Sequence, residues 1–316
     1  MDERAATPVL MGKSLQFFKR YVPDYRLVEW TPETLEAVLR ATPGVRAIIA
    51  AGDHPLPAAI ENLDSLGLVA LMGAGYDGLQ TDRLFARGVE ISHTPGANAE
   101  DVADHGMALF LALVRRVLDG DRRVREGLWV DYGLVTKLPS VRNLRVGVVG
   151  MGAIGVALAR RLTAFGCRVS WYGPRPKPEI EHPRAGSVLD LARESDVLFL
   201  AHKANESNRG LVDRAVLEAL GPDGMLVNLS RGTAVDEPML IAALRDGTLG
   251  GAAIDVFDPE PVRDTRWADV PNCVLAPHIG GAGLGAWDNI GAMVTQNLDR
   301  FFAGQPLATP VPRPAA

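Results

Sequence analysis

The sequence predicts an α/β fold with two doubly wound parallel sheets, of the Rossmann or flavodoxin type. Short β-branched runs alternate along the whole chain with longer segments whose apolar residues have helical spacing. Runs such as Ala47–Ala50 and Leu68–Leu71 are apolar at every position, as expected of strands covered on both faces. A length of 316 residues suits about two domains of ordinary size.

The predicted strands fall into two series, one ending near Asn98 and one running from about Asn143 to His278. A long helix predicted over Ala99–Leu118 connects the two series. The strands are Pro8–Met11, Ala47–Ala50, Leu68–Leu71, Val89–Ser92, Arg145–Val149, Arg168–Tyr172, Val197–His202, Met225–Leu229, Ala252–Val256 and Cys273–Ala276.

Composition excludes several classes of protein. The net charge of −5, without a basic stripe, argues against a nucleic-acid partner. The two cysteines, Cys167 and Cys273, lack neighbours at metal-ligand spacing, so neither a metal site nor a disulfide framework is predicted. No apolar run suits a signal peptide or a membrane span, so we expect a cytoplasmic protein without a membrane partner.

A glycine-rich turn after the fifth predicted strand predicts a dinucleotide site. Gly150 allows the tight turn, Gly152 lets the backbone approach a pyrophosphate, and Gly155 lets the next helix pack against the strand. The helix begins at Ala153 and Ile154, whose backbone N–H groups would face the phosphates.

The loop after strand Arg168–Tyr172 bears on the choice between the two nicotinamide dinucleotides. NAD-binding chains carry an acid here for the ribose 2′-hydroxyl, whereas this loop has Arg175 and Lys177 and no acid before Glu179. A guanidinium can bind a 2′-phosphate, so we expect NADP(H) to be preferred, with NAD(H) possible. The alternative is that both cations are solvated surface charges.

Three polar residues each follow a predicted strand. They are Arg231, Glu260 and His278. Because ligands bind beyond the carboxyl ends of strands in open α/β sheets, we expect all three to face one crevice. Arg231 would bind a keto acid's carboxylate and polarise its carbonyl group, His278 would protonate the carbonyl oxygen, and Glu260 would orient His278 and favour its charged form.

The segments VGVVGMGAIG, NLSRGTAVDEPMLIAAL, GGAAIDVFDPEP and VLAPHIGG resemble the D-isomer-specific 2-hydroxyacid dehydrogenase family. Within that family they are most similar to the NADPH-dependent glyoxylate/hydroxypyruvate reductases. The resemblance covers nearly the whole chain. It implies reduction of a small 2-keto acid to the D-2-hydroxy acid by hydride transfer, in a cleft between two domains.

The resemblance also implies roles for individual residues. Arg231, Glu260 and His278 occupy the family's catalytic positions. The backbone amides of Ala74 and Gly75 match the loop that holds the substrate carboxylate, and Asp255 matches an acid that contacts the nicotinamide carboxamide.

The family's architecture implies a discontinuous substrate-binding domain, residues 1–98 plus 285–316, and a dinucleotide-binding domain, residues 99–284. It also implies a homodimer whose interface includes the long helix after Asn98.

The sequence departs from the reductase pattern at several positions, Lys203 among them. Gly281 and Trp287 stand where relatives place a Ser and an Arg, and Pro174 aligns with the Arg of NADP-using relatives. Two alternatives stay open: the first follows from these departures, and the second from relatives of this fold that act as NAD(H)-sensing binding proteins. One is an NAD-linked D-2-hydroxyacid dehydrogenase acting on a bulkier or sugar-derived acid of the 2-ketogluconate type. The other is a non-catalytic binding protein that senses NAD(P)H, like a corepressor.

Overall fold

The computed structural model describes residues 7–129 and 138–313, and these form two compact units. One unit contains the described residues up to Asn98 and from Ala282 onward, and the other contains those of Ala99–Gly281. The predicted second boundary, between residues 284 and 285, lies three residues further along, because the loop that leads into helix Leu284–Phe302 already belongs with the first unit.

The first unit is built on a five-stranded parallel sheet in the order β2-β1-β3-β4-β5. The strands are β1 (Pro8–Gly12), β2 (Arg26–Trp30), β3 (Ala47–Ala50), β4 (Leu68–Leu71) and β5 (Glu90–Ser92). The helices of this unit are the 3-10 helix Lys13–Tyr21 and the α-helices Leu35–Ala41, Ala58–Glu61, Thr81–Ala86 and Leu284–Phe302.

Helix Leu284–Phe302 packs on the sheet of the first unit although about 190 residues separate it from β5. Its buried face carries Ile290, Val294 and Leu298, which share a core with Val9 and Ile49 of the sheet. Burial of these side chains against the sheet explains why the chain returns to this unit.

The second unit is built on a six-stranded parallel sheet in the order β11-β10-β9-β8-β6-β7. The strands are β6 (Arg145–Val149), β7 (Arg168–Tyr172), β8 (Val197–Leu200), β9 (Met225–Asn228), β10 (Gly251–Ile254) and β11 (Cys273–Leu275). The helices are Ala99–Val114, Val117–Arg125, Ala153–Ala164, Val188–Arg193, Arg214–Leu220 and Glu237–Asp246, with 3-10 helices Glu206–Asn208 and Gly232–Ala234. The prediction of two parallel-sheet α/β domains is confirmed.

Successive residues of β6 serve opposite faces of the second sheet. Val146 and Val148 pack in one apolar core, together with helix residue Phe110. Val149 packs in the other core, with Leu191. Helices therefore cover both faces of the sheet, and a ligand can approach it at the ends of the strands. The strand order reverses between β6 and β8, which makes their carboxyl ends the crevice where such sheets bind ligands.

β2 was not predicted from the sequence, and the bounds predicted for one helix were wrong. β2 is an edge strand of half-buried and exposed residues that pairs only with β1, so it lacks the fully apolar pattern of the inner strands. The helix predicted over Ala99–Leu118 instead ends at Val114, and a second helix, Val117–Arg125, follows. Arg116 has a φ of +49° at the break, and its guanidinium binds Asp119 at 2.8 Å.

None of the described helices is long and apolar enough to cross a membrane.

Candidate active site

The three glycines after β6 have distinct surroundings. Gly150 has a φ of +93°, and a Cβ there would lie 2.5 Å from the Cα of His202. A Cβ on Gly155 would overlap the carbonyl oxygen of Gly150, whereas a Cβ on Gly152 would have no neighbour within 4 Å. Gly150 and Gly155 therefore allow the strand, turn and helix to pack closely, and Gly152 leaves open space beside the backbone.

That open space lies at the first turn of helix Ala153–Ala164, for which Gly152 is the N-cap residue. Backbone N–H groups in a first turn, here those of Ala153 and Ile154, have no acceptor within the helix, and the helix dipole favours an anion there. A bare backbone cradle at a helix N-terminus fits the pyrophosphate of a dinucleotide.

The loop after β7 places one of its two predicted cations against this cradle. Lys177 Nζ donates a hydrogen bond of 2.8 Å to the carbonyl oxygen of Met151, between the first two glycines. Arg175 is exposed. Sequence reasoning missed Arg184, which donates two hydrogen bonds, of 2.7 and 3.2 Å, to the carbonyl oxygen of Gly173 and so supports the start of this loop.

Three adjacent strands present the predicted catalytic residues. Arg231 follows β9, Glu260 follows β10 and His278 follows β11, all at the carboxyl edge of the second sheet. His278 Nδ1 lies 2.6 Å from Glu260 Oε2, and the other oxygen of Glu260 accepts a 2.8 Å hydrogen bond from the backbone amide of Phe257. The carboxylate is thus fixed on one side by the backbone and on the other by the imidazole.

The charges of these groups shift one another's pKa values. The hydrogen bond with Glu260 raises the pKa of His278, although burial and the charge of Arg231 both oppose the rise. Burial acts to raise the pKa of Glu260, but the hydrogen bonds from His278 and Phe257 outweigh it and hold that pKa below its usual value. The pair therefore favours a charged imidazolium beside a carboxylate.

Arg231 is held in a tight turn against the loop that carries Glu260. Its guanidinium donates to the carbonyl oxygen of Ser230 at 2.9 Å, and its own carbonyl oxygen accepts from Asn228 Nδ2 at 2.9 Å. A Cβ on the next residue, Gly232, would overlap the backbone of Phe257. The glycine therefore allows the two loops to touch backbone to backbone.

Asp255, directly after β10, is buried and accepts hydrogen bonds on both carboxylate oxygens. Oδ1 accepts from the amide of Ile279 at 3.0 Å and lies 3.1 Å from His105 Nε2. Oδ2 accepts from the amide of Gly280 at 3.0 Å. Sequence reasoning assigned His105 to packing or an interface and so missed this contact.

The predicted substrate loop lies after β4 in the first unit. A Cβ on Gly52 would overlap the carbonyl oxygen of Gly75, so the loop packs closely on its neighbour after β3. His93 Nδ1 lies 2.9 Å from the carbonyl oxygen of Ala74, a contact that sequence reasoning missed. Among the described residues, no hydrogen bond is donated by the amides of Ala74 and Gly75.

Trp287 packs within the first unit. Its ring makes edge-to-face contacts with the rings of Phe17 and Phe18, with centroid distances of 5.0 and 6.3 Å. These contacts stabilise helix Leu284–Phe302 on the 3-10 helix Lys13–Tyr21.

Known proteins resemble this chain along most of its length. The NAD binding domain of the D-isomer specific 2-hydroxyacid dehydrogenases matches residues 107–280. Glyoxylate/hydroxypyruvate reductase A HPR2 of Arabidopsis thaliana is 39% identical over 80% of this chain and 80% of its own. Hydroxyphenylpyruvate reductase of Plectranthus scutellarioides is 36% identical over 89% of this chain and 90% of its own.

A solved structure agrees with the fold. The NADPH-dependent glyoxylate/hydroxypyruvate reductase of Sinorhizobium meliloti, in complex with NADP and malonate, superposes with a TM-score of 0.83 at 30% identity. The match covers 98% of this chain and 99% of that one. With its glycine cradle and with an Arg, a Glu and a His that each follow one of three adjacent strands, the chain belongs to the D-isomer specific 2-hydroxyacid dehydrogenases, oxidoreductases that act on CH–OH groups.

Proposed function

We propose that this chain reduces a small 2-keto acid of the glyoxylate or hydroxypyruvate type to the D-2-hydroxy acid, with NADPH as the preferred hydride donor. The observation that carries the proposal is the 2.6 Å contact between His278 Nδ1 and Glu260 Oε2. It leaves Nε2 as the ring nitrogen for substrate and favours the charged, proton-donating form of the imidazole.

Each polar group has a distinct task in this proposal. The Arg231 guanidinium binds the carboxylate of the keto acid and polarises the neighbouring carbonyl group. His278 donates its Nε2 proton to the carbonyl oxygen, and Glu260 keeps the ring oriented and stabilises the imidazolium. The amides of Ala74 and Gly75, which have no acceptor within the described residues, are assigned to the substrate carboxylate.

The dinucleotide, when bound, supplies the hydride. We assign its pyrophosphate to the backbone of Gly150, Gly152 and Gly155 and to the helix amides of Ala153 and Ile154. Support comes from the open space beside Gly152 and from the phosphate affinity of helix N-termini.

We assign the preference for NADPH to Arg175 and Lys177. Lys177 is anchored on the Met151 carbonyl and keeps two further ammonium protons for a 2′-phosphate. Arg175 is exposed, and no acid lies between Gly173 and Pro178 to repel that phosphate.

The cofactor assignment predicts a selective loss. In Arg175→Ala and Lys177→Ala, kcat/KM with NADPH should fall about 10-fold each, as expected for the loss of one charge-assisted contact. The value with NADH should change less than about 2-fold, since NADH has no 2′-phosphate. Arg168→Ala, at the opposite end of the same strand, is the matched control and should change neither value. Equal losses with both dinucleotides would refute the assignment.

A bulkier 2-keto acid is the second candidate substrate. It is favoured by the relative whose name specifies hydroxyphenylpyruvate and by the loss of a hydroxyl group at Gly281, which leaves a less polar position after His278. A panel of glyoxylate, hydroxypyruvate, 4-hydroxyphenylpyruvate and 2-ketogluconate, each with NADPH and with NADH, decides between the candidates by kcat/KM. No turnover of any acid with either dinucleotide would overturn the proposed function in favour of a binding protein.

Assembly and location complete the proposal. Helix Val117–Arg125 has no buried residue and exposes Val117, Leu118 and Val124, so we propose that it contacts a second copy of the chain in a homodimer. Sedimentation of the purified protein tests this, and a monomeric mass would contradict it. We also propose a cytoplasmic location, which cell fractionation tests.

A further inference from the structure

Asp255 accepts hydrogen bonds from three consecutive amides of the loop after β11. The amide of His278 donates to the Asp255 backbone carbonyl at 2.8 Å. The next two amides, of Ile279 and Gly280, donate to the two oxygens of the Asp255 carboxylate at 3.0 Å each. Three consecutive residues of the catalytic loop are thus bound to one aspartate.

This attachment holds a conformation that the loop would not choose by itself. His278 has a φ of +53°, in the left-handed region that is costly for a residue with a side chain. Such a conformation persists only where the surroundings fix it, and the bonds to Asp255 lie on both sides of that φ and ψ pair. The direction of the imidazole therefore depends on the Asp255 carboxylate staying in place.

His105 contacts the same carboxylate, on the oxygen that also accepts from the Ile279 amide. Its Nε2 is 3.1 Å from Asp255 Oδ1, and both side chains are largely buried, with 19% and 4% of their surfaces exposed. A Cβ on Gly280 would lie 2.8 Å from Asp255 Oδ2 and 3.2 Å from His105 Cδ2. The histidine, the aspartate and the bare backbone of Gly280 therefore form one closely packed unit.

We propose that His105 is a positioning residue for the catalytic histidine. Its Nε2–H fixes the Asp255 carboxylate, which in turn fixes the amides of Ile279 and Gly280 and with them the orientation of His278. The inference rests on the proposed function. The role of Asp255 toward a nicotinamide carboxamide stays a separate prediction, since a carboxylate has room for a further donor.

Two substitutions test the proposal. His105→Leu keeps apolar volume in helix Ala99–Val114 but removes the donor, whereas His105→Gln keeps an N–H near the position of Nε2. The matched control is Asp104→Asn, which removes an exposed ion pair with Arg161 from the neighbouring position of the same helix.

The first readout needs no activity. In hydrogen–deuterium exchange of the free protein, the amides of Ile279 and Gly280 should exchange about 3- to 10-fold faster in His105→Leu, as expected when a hydrogen bond is weakened. Exchange in His105→Gln should be close to wild type, and Asp104→Asn should not differ from it.

The second readout separates positioning from a general loss of structure. In His105→Leu, kcat should fall about 10- to 100-fold, because misplacing a reacting group by about 1 Å can cost about 10²-fold in rate. The dissociation constant for NADPH, measured by protein fluorescence, should change much less than kcat, since the pyrophosphate and 2′-phosphate contacts are assigned to the glycine cradle after β6 and to the loop after β7. His105→Gln should recover most of kcat.

The outcomes are distinct. Unchanged exchange and unchanged kcat in His105→Leu, while the wild type turns over a keto acid, would overturn the positioning role alone. Loss of kcat that His105→Gln does not recover would also overturn it, because another property of the histidine would then be responsible. Absence of turnover in the wild type would instead overturn the proposed function, and the exchange measurement would still decide the contact between His105 and the loop.

Discussion

At the scale of residues, the site is a set of side chains whose charges depend on one another. Glu260 is held by the Phe257 amide and raises the pKa of His278, and Arg231 lies close enough to lower it. The positions of Arg231, Glu260 and His278 could be predicted from the sequence because each of these residues follows an apolar strand. His105 was missed because its partner, Asp255, lies 150 residues away and no local pattern relates the two.

The raised pKa of His278 predicts a pH dependence. The imidazolium is the proton donor in reduction, so kcat/KM should fall as pH rises through the raised pKa of His278. In Glu260→Gln the hydrogen bond from His278 Nδ1–H to a charged carboxylate is lost, and the fall should move to lower pH. The loss of rate should stay below the roughly 10²- to 10⁴-fold contribution of proton transfer as a whole.

A pH profile of kcat/KM for both proteins checks this prediction. Glu36→Gln, an exposed substitution in the helix Leu35–Ala41, is a control that should leave the profile unchanged. A profile in Glu260→Gln that overlays the wild type, or one shifted to higher pH, would show that Glu260 does not stabilise the imidazolium.

At the scale of elements, the sequence predicts best where burial is complete. Inner strands such as β4 and β6 were predicted with the bounds that the structure has, because residues buried on both faces must be apolar. The edge strand β2 was not predicted, because none of its residues is fully buried and its sequence therefore lacks a continuous apolar run. The helix break at Arg116 could not be predicted from the local sequence. The left-handed backbone of Arg116 is stabilised by side-chain contacts, and one of these, at 2.8 Å, is to Asn272, which is distant in sequence.

The glycine-rich element predicts two different consequences of adding one methyl group. Gly155→Ala should destabilise the protein by about 1–3 kcal/mol, because the new Cβ would overlap the Gly150 carbonyl oxygen. Gly152→Ala has open space and a φ of −80°, so its melting temperature should be close to wild type. Its affinity for NADPH should nevertheless fall, because the methyl group occupies the space assigned to the pyrophosphate.

Thermal unfolding and dinucleotide titration of the two variants check this pair. Equal melting temperatures would contradict the packing role of Gly155. Wild-type affinity in Gly152→Ala would contradict the position assigned to the pyrophosphate.

At the scale of the whole molecule, the parallel arrangement of the second sheet explains why Arg231, Glu260 and His278 lie at one edge of it. All six strands of the second sheet point the same way, so side chains that follow β9, β10 and β11 meet at one edge although they are far apart in sequence. Helix Leu284–Phe302 belongs to the first unit. Periodicity alone could not assign this helix to a unit, since the apolar face of an amphipathic helix does not indicate which sheet it packs on.

The most direct test of the account is the turnover number of a variant that lacks only the proposed proton donor. His278→Asn suits it, because asparagine tolerates the left-handed backbone of this position and cannot act as an imidazolium acid. With the best keto acid of the panel and saturating NADPH, kcat should fall about 10²- to 10⁴-fold while the melting temperature and the NADPH dissociation constant stay near wild type. A kcat within a few-fold of wild type would contradict the assignment of His278 as the catalytic acid.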